Sequence, residues 1–427
     1  MRRARPNRAA RRAAARAARR ARRVLVARAR SGVLAALTAS ALALPGLASF
    51  ARAETPVDRW TASHATSFYV EDDLDSAKVA PGSETSRYEI RTHQLDLRAP
   101  FTDRTDLALH FVHESMSGAT PWFVEPDADG EPVQVMSGAT VKDTRQDFLG
   151  TGSYYLDNGR LSLSGGLSTE NDYFSGNGGL EAAVDFNEKT TTLSSGFGFS
   201  FDTIEPTDAN LFPTRVSEEE KQSYSIFAAI SQVVNREAQL QSGLTFQHST
   251  GFLSDPYKLV SVGGVNLADS RPDSRNQVSW LTRYRHHFSG VEGTLHADYR
   301  FYLDDWEVYS HTVELAWYQS IFERFRLIPS LRYYDQSQAS FYSPYFLVLP
   351  SDGFASSDYR LSPYGAISWK LKAEATLTDL PFEMDWIVGI AWERYLSGGE
   401  LALSEVRFEN PGLVSFNVFT LNLTARF

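Results

Sequence analysis

Apolar and polar residues alternate along most of the chain after residue 54, in successive stretches of about 9 to 15 residues. In residues 292–303, for example, Leu295, Tyr299 and Leu303 fall on one face, whereas His296 and Arg300 fall on the other. A period of two predicts β-strands whose two faces meet different environments. Soluble β-sandwiches alternate in the same way, so this pattern alone leaves two fold classes open.

The lengths of the strands and of their connections distinguish these classes. Stretches of about 10 to 12 residues match a tilted crossing of a bilayer, whereas sandwich strands average about 5 to 6 residues. Tight turns are predicted at 100–104, 157–159, 187–189, 235–237, 289–293 and 322–323, and longer loops at 117–140, 205–219, 251–275, 340–357 and 397–412. Short turns at one end and longer loops at the other predict an all-β transmembrane antiparallel barrel.

The alternating stretches predict sixteen strands, with fourteen as the alternative because the segments near Asp58 and Gly179 alternate least clearly. The predicted strands begin near Asp58, Arg87, Thr105, Val141, Arg160, Gly179, Thr190, Glu220, Ala238, Asn276, Glu292, Val308, Phe325, Asp358, Phe382 and Leu413. An even number places both ends of the barrel in the periplasm. Most of the eight tryptophans are expected at or within strands, where aromatic girdles belong.

The first 53 residues differ from the rest of the chain. Thirteen arginines lie between Arg2 and Arg30 with no acidic residue, and an apolar stretch from Val33 to Leu47 follows. This order predicts a signal peptide over residues 1–53, cleaved before Glu54, and a barrel over residues 54–427. The basic segment is longer than a signal needs, so we expect translation to start near residue 24. The alternative, an arginine-rich nucleic-acid-binding arm, does not explain the apolar stretch.

The predicted mature chain is strongly acidic and contains no cysteine. Without residues 1–53 it keeps 28 basic against 52 acidic residues, a net charge near −24, so nucleic acid is not an expected partner. The absence of cysteine excludes disulfides, thiolate metal sites and a lipid-anchored cysteine.

The last predicted strand, residues 419–427, is amphipathic and ends in Phe427. It resembles the terminal strand that the barrel-assembly machinery recognises. We therefore expect location in the outer membrane of a Gram-negative bacterium, with outer-membrane lipid, lipopolysaccharide and that machinery as partners.

The polar faces of the predicted strands describe the barrel interior, which has two different arcs. One arc consists of small or neutral residues, namely Ser162, Ser164, Gly166, Ser194, Gly196, Gly198, Ser200, Gln239, Gln241 and Gly243. The other arc is charged, with pore-lining candidates Arg283, Arg285, His287, His296, Asp298, Arg300, Glu314, Arg326 and Arg332, continued by Lys370, Lys372, Asp385 and Glu393. Rings of charged side chains set the selectivity of pores, so this arc favours a conduit for small, anionic solutes. The alternative is a set of ion pairs that only fills and stiffens the lumen.

The loop between the third and fourth predicted strands contains one pentapeptide twice, at residues 116–120 and 136–140. The two copies predict a stem with an ordered tip that carries Trp122. Between them, Asp127, Asp129 and Glu131 offer carboxylates for a structural Ca²⁺, although the remaining ligands of a calcium loop are missing. The alternative is a plain acidic turn.

Several segments resemble a family of proteobacterial outer-membrane proteins known as a domain of unknown function. These segments are residues 117–122, 135–140, 142–145, 255–258, 271–275 and 299–306, followed by His311. The resemblance covers nearly the whole predicted mature chain. Members of that family are encoded beside a small lipoprotein, a thioredoxin-like protein and a flavin transferase. The resemblance therefore implies a periplasmic redox or metal-handling pathway and a periplasmic or lipoprotein partner.

Two of the resembling segments bracket one outer loop. Asp255 and Lys258 lie at its beginning, and Arg271 and Arg275 lie at its end. We interpret these four residues as a candidate ligand gate, with the alternative that proline and paired charges merely shape the loop.

No local motif predicts an enzyme. The chain lacks a Gly-x-Ser-x-Gly elbow, a phosphate-binding Gly-Lys-Ser/Thr loop and a His-Glu-x-x-His zinc motif. A hydrolase assembled from distant residues would leave no such motif and stays open as an alternative. We expect no cofactor beyond the candidate calcium, and either a porin-like channel or a non-conducting barrel scaffold for a periplasmic or lipoprotein partner.

Overall fold

The computed structural model describes residues 56–137, 141–322, 324–377 and 384–427. Four sequence predictions fall wholly or partly outside these ranges. They are the signal peptide over residues 1–53, the end of the second pentapeptide at 138–140, the turn residue Glu323 and the strand start at Phe382.

Twenty strands and four short 3₁₀ helices lie in the described ranges. The strands are β1 Thr61–Glu71, β2 Glu89–Thr102, β3 Thr105–Gly118, β4 Pro121–Pro126, β5 Pro132–Met136, β6 Val141–Leu156, β7 Gly159–Thr169, β8 Tyr173–Phe186, β9 Thr191–Ile204, β10 Glu219–Val233, β11 Ala238–Gly251, β12 Leu259–Val262, β13 Val265–Ala268, β14 Ser274–Phe288, β15 Gly293–Asp304, β16 Tyr309–Ile321, β17 Phe325–Gln336, β18 Tyr364–Leu377, β19 Asp385–Gly398 and β20 Phe416–Arg426. The 3₁₀ helices are Ser76–Lys78, Ala209–Leu211, Tyr359–Leu361 and Gly399–Leu401. No helix among the described residues has the length and apolarity needed to cross a membrane.

Sixteen of these described strands form one closed antiparallel barrel, in which each strand pairs with its neighbours in sequence once β4, β5, β12 and β13 are set aside. The barrel closes where β1 pairs with β20, from Thr61 opposite Arg426 to Glu71 opposite Phe416. Closure satisfies the backbone donors and acceptors of both edge strands, as a spanning sheet requires. The predicted fold class and the predicted count of sixteen are therefore confirmed.

The two faces of the barrel wall differ as the alternation predicted. On β7, Leu161, Leu163 and Leu167 are exposed on the outer surface, and on β9 the residues at 197, 199 and 201 are exposed phenylalanines. An apolar band that surrounds a whole molecule is unfavourable in water and is stable against hydrocarbon. A closed antiparallel barrel with such a band spans an outer membrane, and barrels of this class have short periplasmic turns and longer extracellular loops.

Two predicted strand starts were wrong by six residues. The sixth barrel strand begins at Tyr173 rather than Gly179, because its glycine-rich first half pairs along its full length with β7. The strand predicted from Asp358 begins at Tyr364, because Asp358 instead caps the 3₁₀ helix Tyr359–Leu361 by accepting a hydrogen bond from the Arg360 amide. The other described starts lie within three residues of the prediction.

Five loops at the extracellular end contact one another, and we call them the loop assembly. They are residues 72–88, 119–137, 252–273, 337–363 and 399–415. Bridges join Val79 to Gln134 and Val262 to Phe346, and the Tyr345 hydroxyl donates to the Gly130 carbonyl at 2.8 Å. These contacts cross from loop to loop, so the assembly packs as one unit.

The hairpins β4–β5 and β12–β13 belong to the loop assembly and were not predicted as strands. β4 and β5 pair from Pro121 opposite Met136 to Pro126 opposite Pro132, and the Ser137 amide donates to the Thr120 carbonyl at 2.9 Å. The stem expected from the two matched pentapeptides stays a prediction, because residues 138–140 lie outside the described ranges. Two tryptophans do not lie in the aromatic girdles where they were expected. Trp122 lies on β4, and Trp306 is buried against Phe341.

Candidate functional site

The charged arc of the lumen lies on the adjacent strands β14 to β17. The register places Arg283 opposite Asp298, Arg285 opposite His296, and Glu314 opposite Arg332. Asp298 pairs with both arginines of β14, since Arg283 Nε lies 3.6 Å from it and Arg285 Nη2 lies 3.1 Å from it. One carboxylate therefore serves two cations.

Two arginines of this arc have no hydrogen bond or ion pair within the part of the chain that the structure describes. They are Arg300 on β15 and Arg332 on β17, which flank β16. The charged neighbours that act most strongly on Arg300 are two further cations, Arg332 and Arg283. Glu314 on the strand between them is exposed and forms no described ion pair. The arc therefore contains uncompensated positive charge at mid-depth.

Several inward-facing side chains of the arc are exposed to solvent. Arg332, Glu314 and Lys370 are exposed although they point away from the lipid face, where Leu331 and Leu315 lie. Inward-facing side chains can be exposed only if the barrel encloses space around them, as a sixteen-stranded wall allows.

The cations nearer the periplasmic end have partners. Arg326 lies 3.5 Å from Glu374, Lys372 lies 2.7 Å from the same carboxylate, and Lys370 lies 3.7 Å from Glu393. His287 is hydrogen-bonded to Thr294 at 3.1 Å. His296 packs against Tyr318 in a tilted arrangement, with ring centroids 4.0 Å apart. Arg326 thus differs from Arg300 and Arg332 in having a compensating carboxylate.

The predicted wall of small residues lies on the other arc and is less neutral than expected. Arg160 on β7 and Glu181 on β8 form an ion pair in this wall. Phe227 of β10 also faces inward and packs over Gly196, where a Cβ atom would lie 2.4 Å from the phenyl ring. Glycine at 196 is therefore required by an aromatic neighbour, which the sequence pattern did not indicate.

A second charged group lies in the loop assembly and contains three of the four predicted gate residues. It joins Asp255, Lys258 and Arg271 with three residues that sequence reasoning missed, Asp269, Asp358 and Arg360. The principal contacts are Arg271 to Asp269 at 2.6 Å, Arg271 to Asp358 at 2.8 Å, Arg360 to Asp255 at 2.7 Å and Lys258 to Asp358 at 4.0 Å. We call these six residues the loop charge cluster.

Burial and mutual pairing define the electrostatics of this cluster. Burial raises the pKa of an aspartate, but Arg360, Lys258 and Arg271 hold the pKa of Asp358 well below its usual range. The pKa of Asp255 is lowered in the same way, mainly by Arg360. Burial lowers the pKa of Lys258. Since these charges face each other rather than solvent, the arrangement fits the alternative that they shape the loops.

The remaining predicted loop residues lie apart from that cluster. Arg275 pairs with Asp304, with its Nε 2.9 Å away, and its guanidinium lies 4.1 Å from the ring centroid of Trp306. Asp127 accepts hydrogen bonds from the Asp129 and Glu131 amides, each at 2.9 Å, as in an acidic turn. The structural calcium expected there stays a prediction.

Three carboxylates that sequence reasoning did not single out lie together at the extracellular rim of the small-residue wall. They are Asp143 at the start of β6 and Glu170 and Asp172 in the turn between β7 and β8. Burial and the nearby carboxylates raise the pKa of Glu170 to about 9, and burial raises that of Asp172 to about 6. Asp143 and Glu170 are 27 positions apart in the sequence and come together because β6 pairs with β7. No local motif could therefore have predicted the group.

Comparison with solved structures finds barrels of low sequence identity. One is a bacterial polysaccharide outer membrane secretin, at 11% identity and TM-score 0.45, over 86% of this chain and 98% of that one. Another is OccK2 (OpdF) of Pseudomonas aeruginosa in complex with glucuronate, at 9% identity and TM-score 0.40, over 86% and 96%. A third is the siderophore receptor PirA of the same organism, at 12% identity and TM-score 0.43, where the match spans 86% of this chain and 62% of the receptor.

No curated protein matches the sequence. A family model does match, over residues 34–395, and its description is Protein of unknown function (DUF3570). This range includes the charged arc, the loop charge cluster and the carboxylate group. The chain therefore belongs to the DUF3570 family, as its resemblance to an outer-membrane family of unknown function had indicated.

Proposed function

We propose that this outer-membrane barrel is a conduit that favours small anionic solutes. The observation that carries the proposal is the pair Arg300 and Arg332, two lumen-facing guanidinium groups without a described carboxylate partner. Below the extracellular rim, the arc on β14 to β19 contains seven cationic side chains and five carboxylates. These are Arg283, Arg285, Arg300, Arg326, Arg332, Lys370 and Lys372, against Asp298, Glu314, Glu374, Asp385 and Glu393.

The chemistry of these groups supports anion passage rather than tight anion binding. A guanidinium remains charged at every physiological pH and offers several donors to carboxylates or phosphates. Because Arg332 and Glu314 are exposed inside the barrel, water screens them, and an anion that enters can leave again. The positive arc would raise the local concentration of anions in a protein that is otherwise acidic.

The test is the reversal potential of the refolded protein in planar bilayers under a potassium chloride gradient. We expect the wild type to prefer chloride and the R300Q/R332Q double variant to lose most of that preference. The matched control is R236Q, which removes one exposed arginine from the periplasmic turn between β10 and β11, outside the lumen. Equal selectivity of the wild type and the double variant would overturn the proposal.

A non-conducting scaffold is the second candidate, and the loop assembly favours it. Five extracellular loops pack together, and Val260, Ser356 and Asn410 within them are almost fully buried. A scaffold of this kind would show no conductance in the same recordings and would be recovered from native membranes with a periplasmic or lipoprotein partner.

A further inference from the structure

Three acidic side chains meet at the extracellular end of the barrel, where neighbouring strands bring them side by side. Asp143 is the third residue of β6, and Glu170 and Asp172 lie in the three-residue turn that joins β7 to β8. One carboxylate oxygen from each residue lies within 4.8 Å of the others. Oxygens that bind one calcium ion at about 2.4 Å lie at most about 4.8 Å apart, so the three atoms are close enough to share one ion.

Two of these carboxylates are buried without enough hydrogen-bond donors. The Glu170 side chain is 0% exposed, and neither of its oxygens accepts a hydrogen bond from a described residue. Asp172 is 5% exposed, and its Oδ1 also lacks a partner within the described chain. A buried carboxylate without hydrogen-bond partners is strongly unfavourable, so an ion or a proton is needed to compensate it.

The cations nearby do not supply this compensation. Arg145 Nε lies 3.8 Å from Glu170, too far for a hydrogen bond, and the same guanidinium lies 3.6 Å from Glu114 and 3.4 Å from Asp147. Arg215 also acts on Asp172, but its guanidinium stacks over the Tyr257 ring, 4.8 Å from the centroid. These two arginines therefore leave the buried Glu170 carboxylate to be neutralised by a proton or by a further cation.

We propose that Asp143, Glu170 and Asp172 form a binding site for a divalent cation of the calcium type at the extracellular end of the barrel wall. The three ligand groups offer oxygen only, which hard cations such as calcium and magnesium prefer over transition metals. The site is distinct from the acidic turn at Asp127, Asp129 and Glu131, where two backbone amides donate to Asp127 Oδ1. In the proposed site, Asp143 Oδ1 accepts hydrogen bonds from the Thr144 amide at 2.8 Å and from Asn171 Nδ2 at 2.7 Å, so the buried oxygens without partners belong to Glu170 and Asp172.

The site connects the barrel wall to two loops. The Tyr257 hydroxyl donates a hydrogen bond to Asp172 Oδ2 and accepts one from the Thr207 amide at 3.0 Å. Tyr257 belongs to the loop assembly, and Thr207 belongs to the loop between β9 and β10. A cation that fixes Asp172 therefore also fixes the position of Tyr257, and its removal loosens the loop assembly at this contact.

The experiment is a terbium titration of protein refolded without lipopolysaccharide, so that lipid-bound cations do not contribute. Terbium replaces calcium and luminesces when nearby tyrosines such as Tyr257 are excited. We expect one saturable site in the wild type, displaced by calcium. We expect at least about a tenfold loss of calcium affinity in E170Q/D172N, because mutating even the outer-shell partners of metal ligands costs about 10- to 100-fold. The control D129N/E131Q, in the acidic turn, should bind as the wild type does.

Each outcome has a defined meaning. Absence of a saturable site in the wild type, or unchanged affinity in E170Q/D172N, would overturn the proposal, as would loss of binding in D129N/E131Q alone. The heat-dependent shift in gel mobility that folded barrels show verifies folding of each variant. If E170Q/D172N does not fold, the single variant D143N takes its place with the same expected loss. None of these results depends on whether the barrel conducts ions.

Discussion

Arg271 Nη2 lies 2.8 Å from Asp358 Oδ2, and this contact joins the loop after β11 to the loop after β17. Asp358 is 1% exposed and also pairs with Arg360. In D358N, Arg271 and Arg360 lose their shared carboxylate, while Arg271 keeps Asp269 and Arg360 keeps Asp255, so we expect a cost of about 1 to 3 kcal/mol. We expect the amides of residues 252–273 and 337–363 to exchange hydrogen faster, while the barrel strands keep their protection. The control D73N removes an exposed aspartate from another loop of the assembly and should leave exchange unchanged.

The same cluster predicts a dependence on acid. The pKa values of Asp255 and Asp358 are lowered in the folded protein, so their contribution to stability is complete above the ordinary aspartate pKa of 3.8. It is lost as pH falls through the lowered folded values. Burial raises the pKa of Asp269, so this one aspartate contributes to stability in the opposite direction as the pH falls. Hydrogen exchange, corrected for the intrinsic rate at each pH, should show loops that stay protected down to pH 4 and open below it. Loops that open between pH 7 and 5 would contradict the assignment.

The barrel could be predicted from the sequence, whereas the loop charge cluster could not. Alternation on β15, with Leu295 and Leu303 facing lipid, follows from a local period of two, and it repeats on every strand. The contact between Asp255 and Arg360 spans 105 residues and depends on how two irregular loops pack. No local pattern encodes such a contact. The sequence indicated Asp255, Lys258 and Arg271 but gave no sign of their partners.

Gly118 is required by backbone geometry at the end of β3. Its φ is +145°, and a Cβ atom there would lie 2.3 Å from the Arg87 carbonyl oxygen. We expect G118A to destabilise the barrel by about 2 to 4 kcal/mol, since strained backbone and overpacking each cost about 1 to 3 kcal/mol. Urea unfolding of the refolded protein measures this loss. The control G152A places its methyl group where no atom lies within 4 Å and should change stability by less than about 1 kcal/mol. Equal stability of the two variants would contradict the argument.

Glu71 and Arg87 form a buried ion pair at the extracellular end of the barrel, near the place where β1 pairs with β20. The Arg87 Nε lies 2.6 Å from Glu71, both side chains are 1% exposed, and Arg87 also donates to the Gly412 carbonyl at 3.3 Å. E71Q leaves a buried guanidinium uncompensated, so we expect a loss of about 3 to 5 kcal/mol in urea unfolding.

The matched control for this pair is the exposed bridge between Arg59 and Asp385, at 3.2 Å with side chains 56% and 43% exposed. D385N should cost less than about 1 kcal/mol, because solvent screens an exposed pair. A loss in E71Q as small as that in D385N would show that water compensates Arg87.

The charged arc predicts that anion preference weakens as salt concentration rises. Arg332 is exposed to lumen water, so its field is screened over a Debye length of about 10 Å at 0.1 M salt and about 3 Å at 1 M. Reversal potentials at a fixed concentration ratio, measured at increasing mean salt, should move toward zero in the wild type. R300Q/R332Q should start near zero and change little, whereas R236Q should follow the wild type. A preference in the wild type that does not depend on salt would place the selective charges in a dry constriction instead, and Arg300 and Arg332 would then not set selectivity.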